Sequence, residues 1–158
     1  MPHPRALLWI VGRPVLRLYW RLTRPLTAGV RAVVMDAEGR VLLVRHTYIP
    51  GWYLPGGGVE RGETMLTSLR RELDEETGVI LNGEARLAGL YANFREFKSD
   101  HVALFLVEHG QYERVSRKSL EIAEAGFFAP DALPDGITAS TRARIREVVE
   151  GLSAPELW

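Results

Sequence analysis

The sequence predicts one α+β domain, α/β in the broad sense, with a mixed sheet and helices packed against it. Three observations carry that reading. β-rich runs and helical periodicities alternate in the order strands, helix, strands, helix. The chain has 158 residues, enough for one hydrophobic core. No internal repeat, low-complexity tract or linker divides it. The expected layout is a basic amphipathic segment over 1–27, the domain over 28–153 and a short tail over 154–158.

Residues 5–26, RALLWIVGRPVLRLYWRLTRPL, are apolar, aromatic and arginine-rich. Pro14 suits the first turn of an N-terminal amphipathic helix over Val15–Leu22, with Val15, Leu18, Tyr19 and Leu22 on one face. Docking on its own domain is the ordinary use of such a helix. Docking on a second copy would give a homodimer, and arginines at headgroup level would give peripheral membrane contact. The run Ala6–Val11 is too short to span a bilayer, and no small-x-small cleavage site follows. A cytoplasmic location is expected.

Val30–Met35 and Val41–Arg45 read as two strands of a hairpin around Asp36–Gly39. Thr47–Pro55 is a loop by its Pro and Gly content, and it is expected to expose Tyr48, Trp52 and Tyr53 as stacking surfaces for a base. A helix opens at Glu63 or Thr64 and stops at Gly78, with Leu66, Leu69 and Leu73 as its apolar stripe. Leu87–Phe94 and His101–Glu108 alternate as strands around a turn at Arg95–Asp100. The polar stretch from Gly110 reads as a long loop, followed by a short edge strand, Gly126–Ala129, and a turn at Pro130–Pro134. Thr138–Gly151 reads as a helix with Ile145, Val148, Val149 and Leu152 inward.

Composition narrows the chemistry. The chain has no cysteine, so disulfides and thiolate metal sites are excluded. His3, His46, His101 and His109 show no HxxxH spacing, which argues against a paired-histidine zinc site. Net charge is zero, but the first 28 residues hold five arginines and no acid. The remainder, with 15 basic and 20 acidic residues, is poorly suited to nucleic acid.

The informative stretch is Gly56–Val79. A glycine-rich turn leads into the helix carrying Glu72, Glu75 and Glu76, which share roughly 100° of its circumference. Neighbouring like charges repel unless a cation sits among them, so this face reads as a divalent metal site. No Gly-Lys-Ser/Thr follows Gly56–Gly58, and Arg61 occupies the third position of a dinucleotide glycine pattern. Both phosphate-loop readings fail.

Gly57, Glu63, Arg71, Glu72, Leu73, Glu75, Glu76, Gly78 and Val79 fill every fixed position of the pattern Gly, five residues, Glu, seven residues, Arg-Glu-apolar-x-Glu-Glu-x-Gly-apolar. This resembles the Nudix box. Trp52 and Leu54–Gly57 before it, and Glu121–Phe128 and Asp131–Pro134 after it, are also similar to that family. The resemblance implies an α-β-α sandwich and hydrolysis of a pyrophosphate bond in a nucleoside diphosphate linked to another group. It implies Glu72, Glu75 and Glu76 as metal ligands with the Gly56 carbonyl, and Glu63 paired with Arg71 as scaffold. Gly57 would permit the turn and Gly78 end the helix. Mg²⁺ suits such oxygen ligands, with Mn²⁺ as substitute.

The resemblance also implies a glutamate base, from the box or from a distant loop: the candidates are Glu76 first, with Glu75 beside it in the box, then Glu121 or Glu124. The proline that marks ADP-ribose hydrolases and the tyrosine that marks dinucleoside polyphosphate hydrolases are replaced by Phe94–Arg95 and Glu96–Phe97. A small nucleotide remains the expected substrate, with Arg95, Lys98 and His101 as further candidate contacts. The rival reading, a non-catalytic nucleotide-sensing module, fits less well because such modules often lose box glutamates.

Overall fold

A computed structural model describes residues 26–95, 99–117 and 119–158. The helix expected over Val15–Leu22 and Lys98 lie outside them. Two aliphatic strands form the centre: β1 (Thr27–Val34) runs parallel to β5 (Asp100–Val107), in register from Thr27 opposite Asp100 to Val34 opposite Val107. On its other side β5 pairs antiparallel with β4 (Arg86–Ala92). β2 (Val41–His46) pairs antiparallel with β7 (Ile122–Phe128), and β3 (Val79–Leu81) with β6 (Tyr112–Arg114).

The two helices among the described residues, α1 (Met65–Thr77) and α2 (Ala139–Glu150), lie on opposite faces of these strands. Val30, Ala32 and Val34 of β1 pack with Leu69 and Leu73 of α1 in one cluster. Val33 of β1 joins Leu43, Tyr91, Leu104 and Ile145 of α2 in the other. Strands covered on both faces need apolar residues at consecutive positions, which explains why β1 and β5 read as near-continuous aliphatic runs. Leu73 is fully buried, so Leu73→Ala is expected to cost about 2–5 kcal/mol in a urea melt. No helix among the described residues is long and apolar enough to cross a membrane.

The expected hairpin needs correction. Its turn forms, closed by Asp36 N–H to Arg40 C=O at 3.0 Å and by a bridge between Met35 and Val41. Beyond that rung β1 and β2 part, because the segment after β2 enters between them. Val44 and Tyr53 exchange backbone hydrogen bonds of 2.9 Å. Further on, Val30 N–H donates to Gly57 C=O (2.9 Å), Ala32 N–H to Pro55 C=O (3.0 Å) and Val59 N–H to Ala28 C=O (2.8 Å). A loop by composition is thus stitched to β1 as firmly as a strand.

The apolar stripes also sit differently. Leu66 is 39% exposed, and α1 instead buries Ser68, Leu69, Leu73 and Thr77. The two hydroxyls are satisfied locally, Ser68 on Gly58 C=O (3.0 Å) and Thr77 on Leu73 C=O (2.6 Å). On α2 Val149 is exposed, as is Leu152 just past its end, while Thr141, Arg144 and Ile145 are buried. The stretch read as a long loop contains β6 and most of β7, which begins at Ile122 rather than Gly126. Both helices start on a threonine cap, Thr64 and Thr138, and end on a left-handed glycine, Gly78 and Gly151.

Candidate active site

The stitching of residues 55–59 to β1 sets the glycine turn against the C-terminal half of α1. Gly56 has φ 134°, and a Cβ there would collide with the carbonyl oxygen of Val30. Only glycine suits such a position. Its N–H donates to Glu76 Oε2 at 2.8 Å, and its carbonyl accepts from the Arg31 guanidinium. A Cβ at Gly57 would meet the Glu72 carboxylate and displace it.

Arg71 locks the turn to the helix. Its Nε and Nη2 donate to the two Glu63 oxygens at 2.9 and 3.0 Å, a bidentate pair, and Nη2 also reaches Gly58 C=O at 3.2 Å. Nη1 donates to Glu72 (2.8 Å) and more loosely to Glu75 (3.4 Å). Hydrogen bonds from Arg71 and then from the Glu60 N–H hold the Glu63 carboxyl down at about 2. One guanidinium therefore bridges the loop glutamate to two glutamates of the helix.

These elements line a cleft of about 840 Å³, within the range of small-ligand sites. Glu72 and Glu76 reach it from α1, Gly56 and Gly57 from the turn, and Glu121 from the residue just before β7. Tyr48 and Tyr53 from the loop and Arg95 from the β4–β5 turn also line it. Withdrawal from water pushes Glu76 up to about 7, against the opposing pull of the Gly56 N–H and Arg31. Tyr48 is 65% exposed, and burial of part of it, then Glu121 and Glu76, raises its pKa and keeps the hydroxyl protonated. An irregularity in the β2–β7 ladder skips Ala123, two residues after Glu121, opposite the step from Arg45 to His46.

Other expected residues lie elsewhere. Glu75 is exposed beside Arg71, in an adjoining depression that Glu72, Glu76 and Glu121 also line, with Asp74 and Arg117. Glu124 lies opposite Arg45 across the ladder and pairs with it at 2.8 Å, outside the cleft. Trp52 is corrected from an exposed surface to the core. It is 8% exposed and packs edge-on against Phe128 at 4.9 Å. His101 is also absent from the cleft wall; its Nδ1 lies 3.3 Å from Ser99 C=O, and its ring is near Phe94.

The cleft contains residues that the sequence pattern does not single out. Arg31, an isolated cation in an aliphatic strand, is the one signal that points to it. His46 is 7% exposed, with Nδ1 unpartnered among the described residues; burial and then Arg31 lower its basicity. Asn93, Asp100 and Trp158 complete the far wall.

Every donor on the acidic side is oxygen, which suits a hard divalent cation. Among the described residues no three Asp, Glu or His side chains converge closely enough to hold an ion by themselves. Glu72 is turned to Arg71, and Gly56 C=O to Arg31.

The family profile described as NUDIX domain matches residues 25–150. A MutT-like protein of Streptomyces ambofaciens is 27% identical over 79% of this chain and 78% of its own length. An RNA pyrophosphohydrolase of Psychrobacter cryohalolentis is 32% identical over 54% of this chain and 47% of its own. Among solved structures, the MutT NUDIX hydrolase of Burkholderia pseudomallei superposes with a TM-score of 0.63 at 26% identity, covering 79% of this chain and 99% of that one.

Proposed function

The chain belongs to the Nudix family, and we propose that it hydrolyses a pyrophosphate bond in a small nucleotide with the help of a divalent cation. One observation carries the reading: Glu72, Glu76 and Glu121 meet the glycine turn in a single cleft large enough for a nucleotide. Glu72, Glu75, Glu76 and the Gly56 carbonyl would hold the cation, Mg²⁺ or Mn²⁺. When bound, it neutralises the diphosphate and makes the attacking water more acidic.

The protein's own groups have distinct parts in this scheme. Water attacks one phosphorus, the P–O–P bridge breaks, and the bridging oxygen leaves with the second phosphate. Glu76, withdrawn from water and held by the Gly56 N–H, accepts the proton from the water. Arg31 steadies the carbonyl beside Glu76. Arg71 and Glu63 hold the turn in place, a positioning role. Tyr48 and Tyr53 border the entrance, and Arg95 provides a cation for phosphate.

Of the outlying glutamates, Glu121 faces the cleft and Glu124 is engaged by Arg45. Glu121→Gln is therefore expected to lower turnover tenfold or more, and Glu124→Gln to stay within about twofold of wild type in a steady-state assay.

The experiment that tests the activity is a panel of nucleoside triphosphates, nucleotide sugars and dinucleotides, each with and without Mg²⁺. The relative named an RNA pyrophosphohydrolase adds a 5′-triphosphorylated RNA oligonucleotide to that panel. Cation-dependent phosphate or pyrophosphate products support hydrolysis. Tight binding of one nucleotide without turnover would replace this reading with a nucleotide sensor.

A further inference from the structure

Arg144 is an expensive residue to bury. It is 4% exposed on α2, and its Nε has no hydrogen-bond partner among the described residues. Nη2 donates to Glu147, whose other oxygen accepts from the Tyr91 hydroxyl at 3.0 Å. Nη1 donates to Leu157 C=O at 3.0 Å, and the guanidinium lies 4.4 Å from the Tyr91 ring and 5.4 Å from the Trp158 ring. A packed apolar side chain often stabilises as well as a buried ion pair, so stability alone does not account for this cluster.

What the cluster holds is the segment ending in Trp158. Ala92 N–H donates to Glu156 C=O at 2.8 Å, and Trp158 N–H donates back to Ala92 C=O at 3.1 Å. The Tyr91 and Trp158 rings meet edge to face at 5.4 Å. Trp158 is only partly buried, and it lines the cleft. The residue after Ala92, Asn93, lines the same cleft and donates to Asp100 at 3.0 Å. A fixed aromatic side chain thus lines the same cleft as an amide and a carboxylate, and it is held by β4 and α2 rather than by the acidic helix.

We propose, resting on the reading of this cleft as a nucleotide site, that Trp158 is the stacking surface for the base of the substrate, with Arg144 as its positioning residue. Stacking tolerates any base, so Trp158 raises affinity for nucleotides over bare diphosphates, while neighbouring polar groups discriminate among bases.

Titration calorimetry in Mg²⁺ tests this with two kinds of probe: the α,β-methylene analogues of ADP, GDP, CDP and UDP, and methylenediphosphonate, which has no base. Trp158→Ala is expected to weaken binding of the analogues about tenfold or more and to leave methylenediphosphonate within twofold. Trp158→Phe should recover most of that loss. Arg144→Met, which keeps bulk, should follow Trp158→Ala on both probes. Unchanged analogue binding in Trp158→Ala, or equal weakening of both probes, would overturn the assignment. A wild-type protein that binds neither probe would overturn the nucleotide reading beneath it.

Discussion

Glu76→Gln is expected to lower turnover by about 10²–10⁴ with the fold intact, as removal of a general base does. Glutamine can still accept the Gly56 N–H, now 2.8 Å from Glu76, so the turn keeps its anchor. Thermal melts give an independent readout. In the metal-free protein Glu76 titrates at about 7, above the 4.5 of an unperturbed carboxyl. A carboxyl raised by folding contributes stability fully present below its unfolded value and lost as pH rises through the folded one. The metal-free wild type should therefore lose stability between about pH 4.5 and 7 through this group, and Glu76→Gln should lack that loss. Adding Mg²⁺ at pH 8 should raise the melting temperature of the wild type more than that of the variant.

The second large effect is expected from Gly56→Ala. An L residue at φ 134° is strained, and its Cβ would meet the Val30 carbonyl, which belongs to a buried strand and cannot turn aside. Relief requires pulling the turn off β1. That breaks the Val30–Gly57 hydrogen bond and the contacts of Gly56 with Arg31 and Glu76. We expect a loss of roughly 3 kcal/mol or more in denaturant melts and at least a hundredfold in turnover. Gly58→Ala is the control. It lies two residues on, with no positive φ and nothing within 4 Å of where the added methyl would stand, and it should be nearly silent.

The parts of the site that are legible in the sequence are those where one residue type has one use. Glycines at tight approaches, a threonine cap and an Arg–Glu pair at fixed spacing are local demands, and the structure places Gly56, Gly57, Thr64, Glu63 and Arg71 where those demands are met. The parts that are not legible depend on distant partners. Trp52 has the sequence context of a loop aromatic, but Phe128 arrives from β7 to cover it. Arg144 has that of a solvated helix charge, but Tyr91, Glu147 and the chain at Leu157 and Trp158 enclose it. The hairpin fails for a similar reason, because a glycine-rich loop, rather than β2, completes the edge of β1. β6 and most of β7 read as a loop because neither strand carries a fully buried residue to mark its inward face.

Whether this cleft breaks a P–O–P bond with water is the question on which the rest depends. It is answered by ³¹P NMR of the reaction in H₂¹⁸O, using the best nucleotide from the panel. Hydrolysis requires that one ¹⁸O enters a single product phosphate, that both products derive from the diphosphate, and that EDTA or Glu76→Gln abolishes the signal. Intact nucleotide recovered from wild-type protein in Mg²⁺, after saturating binding, would contradict it.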